Sequence, residues 1–338
     1  MSRPDPDGRP SGVAADPAFS RRRFLARLGL LTGAAAIAPL ALKTRGEHAE
    51  TLQASRGALG TWMRVVVRDT DHARARRGIE AAFAAVRRVD EEMSVHRADS
   101  QLVRVNAAAG REAVRVDPSL LRVVAIALDA TRRSGGVYDP TVLPLMRIYG
   151  FYDSGRRTPP TAREIDTVLA AMGASQVRVD DAGGTLALTR AGAGLDLGSI
   201  GKGWAVDRAV DALRAQGIRS GLVDLGGNVY GLGTPGDGGA GWTVGVFHPA
   251  TGSLEHTFVL RDAAVATSGN SEQTRRLGAL TVGHLFDARH GTPANGHLSV
   301  SVMARTGVES DVMSTSAFVM GPDRFQGWPG ALETRYIG

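Results

Sequence analysis

Leu195-Asp-Leu-Gly-Ser-Ile-Gly-Lys-Gly-Trp-Ala-Val-Asp207 is a short apolar run stopped by a glycine-rich turn, with Lys202 beside the turn and a predicted helix directly behind it. Glycines remove the Cβ atoms that would hold a ligand away from backbone N–H groups, and the positive end of the following helix favours an anion. The stretch therefore has the make-up of a phosphate-holding turn. Its glycines, Gly198, Gly201 and Gly203, fit neither the P-loop spacing nor the dinucleotide fingerprint, so a plain strand-to-helix connection stays open at this point.

Working outward, the helix is predicted over Lys202 to Gln216 and ends at Gly217. A buried strand over Gly221 to Leu225 follows and stops at Gly226-Gly227. Upstream, Trp62 to Arg68 alternates apolar and polar residues as a strand does. Ile79, Phe83, Val86, Val89 and Met93 recur every three or four residues, the pattern of an amphipathic helix over Asp71 to Met93. A polar loop carrying His96 is expected from Met93 to Asn106. Asp117-Pro118 reads as the start of the next helix, closed by Gly135-Gly136. Thr161 and Glu164 form a capping box for a helix reaching Met172, and Gln176–Asp180 with Thr185–Thr189 reads as a hairpin. Strands are predicted over Trp242–Phe247, Thr257–Leu260 and Leu298–Ala304, the last leading into a helix beginning near Asp311. The mixture of helices and strands reads as one compact body over residues 50–338, in one or two lobes.

The 338 residues carry a formal charge of +6, but residues 1–46 hold eight Lys or Arg against three Asp, which is five of the six. With the excess confined there and no basic patch with interleaved aromatics elsewhere, nucleic-acid binding is not expected. The same segment accounts for the charge. Ser20-Arg-Arg-Arg-Phe-Leu25 precedes an apolar stretch from Leu28 to Leu42, the charged and apolar parts of an export leader, similar to a twin-arginine signal through Arg21 and Arg22. Export to the periplasm or the outer face of the cytoplasmic membrane is the expectation, with the leader either cleaved or kept as an anchor. Cysteine is absent, which excludes disulfides, thiolate metal sites and a cysteine nucleophile.

Two further stretches carry candidate chemistry. Asp311-Val-Met-Ser-Thr315 puts a carboxylate and a hydroxyl four apart on one helical face, where both can meet a hard cation; an ordinary helix start is the alternative. His284-Leu-Phe-Asp-Ala-Arg-His-Gly291 supplies an imidazole, a carboxylate and a guanidinium in one strand-and-turn unit. Either His284 or Asp287 could handle a proton there. Ala266-Thr-Ser-Gly-Asn270 is another polar turn after an apolar run.

In ordered blocks the chain resembles the ApbE family of FAD:protein FMN transferases. The blocks are Gly60-Thr61, Met93-Ser94 to Asn106, Tyr138-Asp-Pro-Thr-Val142, Asp196 to Gly203 with Asp207, Leu225 to Asn228, Ala264 to Gly269, His284 to Gly291, and Asp311 to Gly321. The resemblance implies an α+β fold of mixed sheets and packed helices that binds FAD with Mg2+ and transfers its FMN moiety to a Ser or Thr hydroxyl of an acceptor protein, with release of AMP. It implies that Asp311 and Thr315 hold the metal, helped by a carbonyl of Ser199 or Gly201, and that His284 accepts the hydroxyl proton, with Asp287 or His96 as the other candidates. FAD would meet Thr61, Met93, Ser94, His96 and Asp139 from the amino-terminal blocks. From the later ones it would meet Asp196, Gly198, Lys202, Gly226, Gly227, Thr267 and Ser268. The sequence departs from the family pattern at His96, where Tyr is frequent, and at Trp204, Asn270, Ala288 and His290. A magnesium-dependent FAD pyrophosphatase and a non-catalytic exported flavin-binding protein are the alternative readings; an exported transferase would suit a membrane-associated acceptor.

Overall fold

The computed structural model describes residues 49–152, 155–236, 238–270 and 273–338; the expected leader, residues 1–46, lies outside the described residues. The described chain opens on a hairpin, β1 (Glu50–Ala58) and β2 (Thr61–Asp69), turned over Leu59 and Gly60, both at positive φ. That turn twists in the sense of its strands. Then come α1 (His72–Met93), α2 (Gln101–Ala107), β3 (Val114–Arg115), α3 (Pro118–Arg133), α4 (Leu143–Ile148) and α5 (Ala162–Leu169). The hairpin β4 (Val177–Asp180) and β5 (Thr185–Leu188) leads to α6 (Gly201–Ala215), followed by β6 (Gly221–Leu225) and β7 (Asn228–Leu232). The remaining strands are β8 (Trp242–Phe247), β9 (Leu254–Leu260), β10 (Ala263–Gly269), β11 (Thr274–Leu277), β12 (Leu280–Gly283), β13 (Phe286–Asp287), β14 (Thr292–Pro293) and β15 (Ser299–Ala304). The chain ends with α7 (Gly307–Met320), α8 (Pro322–Phe325) and β16 (Glu333–Ile337).

A seven-stranded antiparallel sheet in the order β1-β2-β6-β7-β10-β15-β16 organises these elements into an α+β fold. Strand side chains alternate between faces, so each strand serves two cores. Met63, Val65 and Val67 of β2, Val223 and Leu225 of β6 and Ala264 of β10 pack with α1, α6 and the start of α7. Val300, Val302 and Ala304 of β15 meet Met313, Ala317 and Phe318 farther along α7. The opposite face of the sheet, through Leu222, Val229 and Val265, packs on Val246, Phe258 and Leu260 of the β8–β9 hairpin. A smaller cluster joins α4 to the β11–β14 segment through Leu145, Met146, Tyr149, Val282 and Phe286.

Several boundaries differ from the sequence expectation. The expected loop from Met93 to Asn106 contains α2, which starts where Ser100 accepts from the Val103 N–H at 3.0 Å. Asp117 precedes α3 but makes no side-chain cap; its carboxylate accepts from the Gln101 amide instead. The Thr161–Glu164 capping box is present, and its helix stops at Leu169 rather than Met172. The last long helix begins at Gly307, one turn before Asp311, with Thr306 as its cap. Asp311 therefore sits in the second turn, past the reach of the cap and dipole role that an ordinary helix start would have given it.

Candidate active site at the crossing of two helices

The glycine turn is delivered by an unusual anchor. Leu195–Leu197 is extended but belongs to none of the sheets; instead Asn106 of α2 donates its amide to the Leu195 carbonyl at 2.9 Å and accepts from the Leu195 N–H at 2.7 Å. One side-chain amide thus does the work of a neighbouring strand. Next, Asp196 turns back on its own loop, Oδ1 accepting from the Gly198 N–H at 2.8 Å, while Oδ2 accepts from the Tyr152 hydroxyl. Its backbone N–H donates to Pro140 O at 2.8 Å, which ties the turn to the Tyr138–Val142 block. There Asp139 accepts from the Thr141 N–H and hydroxyl at 2.8 and 2.6 Å, and burial pushes its carboxyl above the ordinary range.

Helix α6 leaves the turn and crosses α7 at a contact that only glycine allows. A Cβ on Gly203 would lie 2.2 Å from Gly307 O, and one on Gly307 would lie 2.5 Å from Gly203 O. With the backbones this close, Asp311 Oδ2 accepts from the Gly203 N–H at 2.9 Å. Its other oxygen lies 4.0 Å from Lys202 Nζ, which also donates to Gly198 O at 3.3 Å. A positive group is thus already held between a carboxylate oxygen and a backbone carbonyl. Four residues on, Thr315 Oγ1 lies 3.2 Å from Ser268 Oγ, itself 2.8 Å from Ser314 Oγ. Asp311 is 3% exposed and Thr315 9%.

These donors are all hard oxygens, the set that suits Mg2+ rather than a softer metal. No group of three or more His, Cys, Asp or Glu able to hold a metal occurs among the described residues. A cation here would rely on one carboxylate, hydroxyl and carbonyl oxygens, and the oxygens of a phosphate ligand. Magnesium is commonly held in that way, and the residues fit it.

His284 stands half-buried near Lys202 and Asp196, and its Nδ1 has no hydrogen-bond partner. Burial first, and the charge of Lys202 second, lower its pKa to about 4, so the ring is neutral at neutral pH. Asp287 is differently employed. Arg289 donates to both of its oxygens, at 2.9 and 2.6 Å, and although burial alone would raise its carboxyl, that guanidinium and the Arg289 N–H hold it below the usual range. His96 faces Tyr152, with ring centroids 5.4 Å apart and planes tilted by 49°.

Among the sequence-selected residues, direct contacts join Asp196, Gly198, Lys202 and Asp311, with Ser199 and Gly201 in the same turn, and join Ser268 to Thr315. Thr61, Gly226 and Gly227 form a second group: the Gly226-Gly227 turn sits against Thr61, close enough that a Cβ on Gly226 would lie 2.8 Å from Thr61 Oγ1. Ser94 donates its N–H to Asp90 O at the end of α1, while Met93 is packed in the core. Thr267 points to the far face of β10 from Ser268 and meets Ser301 Oγ at 2.8 Å. Sequence reasoning gave no role to Tyr152, to the Tyr138 hydroxyl that accepts from Ser199 Oγ at 3.2 Å, or to Gly307. Only Gly307, a glycine ahead of the Asp311 helix, left a signal that could have been read.

The sequence profile of the ApbE family matches residues 59–334, spanning every element of this site. This chain belongs to the ApbE family. Its relatives include the FAD:protein FMN transferase of Treponema pallidum, 32% identical over 82% of this chain and 82% of that protein. The Vibrio cholerae protein of the same name is 31% identical over 70% and 71%. Among solved structures, the ApbE protein of Thermotoga maritima superposes with a TM-score of 0.76 at 28% identity, over 85% of this chain and 94% of that one. The flavin transferase ApbE of Vibrio cholerae gives 0.74 at 26%, over 86% and 98%. An ApbE-family chain of this similarity is an enzyme of the flavin-transferring class.

Proposed function

We propose that this ApbE-family enzyme moves the FMN moiety of FAD onto a Ser or Thr hydroxyl of an acceptor protein and releases AMP. The observation that carries the reading is the Gly203–Gly307 crossing, which sets Asp311 beside Lys202 and the carbonyl of Gly198. Transfer of a phosphoryl-type group asks mainly for positioning and charge neutralisation. Asp311 and Thr315, with carbonyls of the 198–201 turn, would hold Mg2+, which when bound neutralises the pyrophosphate and polarises its phosphorus centres. Lys202 adds a second positive charge on the same side.

The acceptor oxygen attacks the phosphorus on the FMN side of the pyrophosphate, and the bridging P–O bond breaks with its electron pair leaving on AMP. The hydroxyl proton passes to the imidazole of His284. A neutral imidazole with one unpartnered nitrogen is in the state needed to accept it. The low basicity imposed partly by Lys202 is offset once the pyrophosphate anion lies against that lysine. Asp287, occupied by Arg289, shapes the turn after β13 and takes no proton. His96 and Tyr152 offer ring faces to the flavin. An export leader over residues 1–46 would place the reaction outside the cytoplasm, where a membrane-associated acceptor is accessible.

The test is incubation with FAD, Mg2+ and a flavin-carrying acceptor domain, read by mass spectrometry. The expected result is an FMN adduct on the acceptor with stoichiometric AMP. FMN and AMP without an adduct would make the protein a pyrophosphatase, and intact FAD would make it a binding protein. In Asp311→Ala, AMP release is expected to lose its dependence on Mg2+ and fall to background; retained activity would remove the metal assignment.

A further inference from the structure

The two crossing helices cap one another. Asp311 of α7 accepts from an N–H in the first turn of α6, and Asp207, one turn along α6 from Gly203, returns the interaction. Its Oδ1 accepts from the Gly307 N–H at 2.6 Å and its Oδ2 from the Val308 N–H at 2.9 Å. Asp207 is buried, and these two N–H groups are its hydrogen-bond partners. Its neighbour Arg208 pairs with Asp211 and stacks on Trp204 at 4.0 Å, so the Asp207 charge is balanced chiefly by the α7 backbone and the positive end of that helix.

Helix α7 already has an ordinary cap, because Thr306 Oγ1 accepts from the Glu309 N–H at 3.2 Å. The Asp207 bonds therefore do something besides starting the helix. They lock the first turn of α7 to α6 at one height, and Asp311 projects from the next turn. Charged and titratable groups around Asp207 are Arg208 and Asp211 on its own helix, Tyr230 on β7, Glu309 on α7, and Arg122 and Arg214 lining the same groove of about 470 Å³.

We propose that Asp207 is a positioning residue for the divalent cation of the transfer reaction: by bridging the Gly307 and Val308 N–H groups it sets Asp311 and Thr315 against the glycine turn. The inference rests on the cation reading of the previous section. It resembles the outer hydrogen bonds that orient metal ligands elsewhere, whose loss costs about 10–100-fold in metal affinity. Asparagine is nearly isosteric but would present an N–H to one of the two donors, so one bond is kept and the other is replaced by a repulsive N–H to N–H contact.

The experiment is titration calorimetry of Mg2+ into the full chain saturated with FAD in the absence of acceptor, compared across Asp207→Asn, Asp311→Ala and Thr306→Ala, with FAD affinity measured separately without metal. Asp207→Asn is expected to weaken Mg2+ binding about 10–100-fold while metal-free FAD affinity stays within about twofold. Thr306→Ala removes a cap from the same helix and is expected to lower thermal stability with Mg2+ affinity unchanged. Should Asn prevent folding, Asp207→Ser, which keeps at most one acceptor on a shorter side chain, is expected to weaken Mg2+ binding by about the same 10–100-fold. Wild-type Mg2+ affinity in the folded Asp207 variant, with binding lost in Asp311→Ala, overturns this inference alone. Wild-type Mg2+ affinity in Asp311→Ala overturns the cation reading beneath it.

Discussion

Gly203→Ala separates the cost of folding from the cost of function. The added Cβ would lie 2.2 Å from Gly307 O, 2.6 Å from Gly307 C and 2.7 Å from Asp311 Cβ, two backbone atoms and the root of the Asp311 side chain. Carbon contacts relax at about 3.5 Å, so α6 and α7 must part by on the order of 1 Å. Overpacking of this kind costs about 1–3 kcal/mol, and the better helix propensity of alanine returns about 1 kcal/mol. The net loss is about 1 kcal/mol, or roughly 2–4 °C in melting temperature for a chain of this size. Function should suffer far more, since a 1 Å misplacement at a reacting centre costs about 100-fold. Gly201→Ala is the control: nothing lies within 4 Å of its Cβ, and a slight gain in stability with Mg2+ binding retained is expected. The assay pairs differential scanning calorimetry with the rate of FMN transfer. A Gly203→Ala enzyme with full transfer activity would show that the backbone contact does not set the site, and the reasoning would fail.

Further outcomes are expected. His284→Gln should slow transfer by about 100–10,000-fold, the range of a lost general base, while FAD binding persists; an unchanged rate would pass the proton to another group. Asn106→Ala leaves the buried backbone of Leu195 without two hydrogen bonds and should destabilise the chain by about 1–3 kcal/mol in chemical denaturation; a loss below about 0.5 kcal/mol would mean that water replaces the amide. Burial lifts Asp207 from 3.8 to about 6 in the folded chain. A group raised in this way contributes stability that is complete below its unfolded value and is lost as pH rises through the folded one. The wild type should therefore lose unfolding free energy between pH 3.8 and about 6 relative to Asp207→Asn, and parallel curves would contradict the buried carboxylate.

The parts of the fold written in local chemistry were legible. Helix α1 shows its apolar period, Gly217 and Gly226-Gly227 mark chain reversals by positive φ, and the Thr161–Glu164 box announces α5. What escaped depends on partners distant in sequence. Strand β1 is mostly exposed and carries weak alternation, and it exists because β2 lends it a ladder. Strand β7 follows the glycine pair at once, and being buried on both faces it shows no alternation to read. Within the site, the glycine turn and Asp311–Thr315 stood out by composition. The contact that joins them, between Gly203 and Gly307, spans about a hundred residues, and apart from the glycine at 307 itself nothing local marks it. Tyr152 went without a role for the same reason, since its partners Asp196 and His96 come from separate segments.

The Asn106 amide also bears on redesign. Because Leu195–Leu197 is moored by the Asn106 carboxamide and the Pro140 carbonyl and not by a strand ladder, the glycine loop stands outside the hydrogen-bond ladder of the sheet. Exposed positions of that loop, such as Gly198, could be exchanged while the seven strands keep their register, provided that both mooring points and Gly203 are left alone.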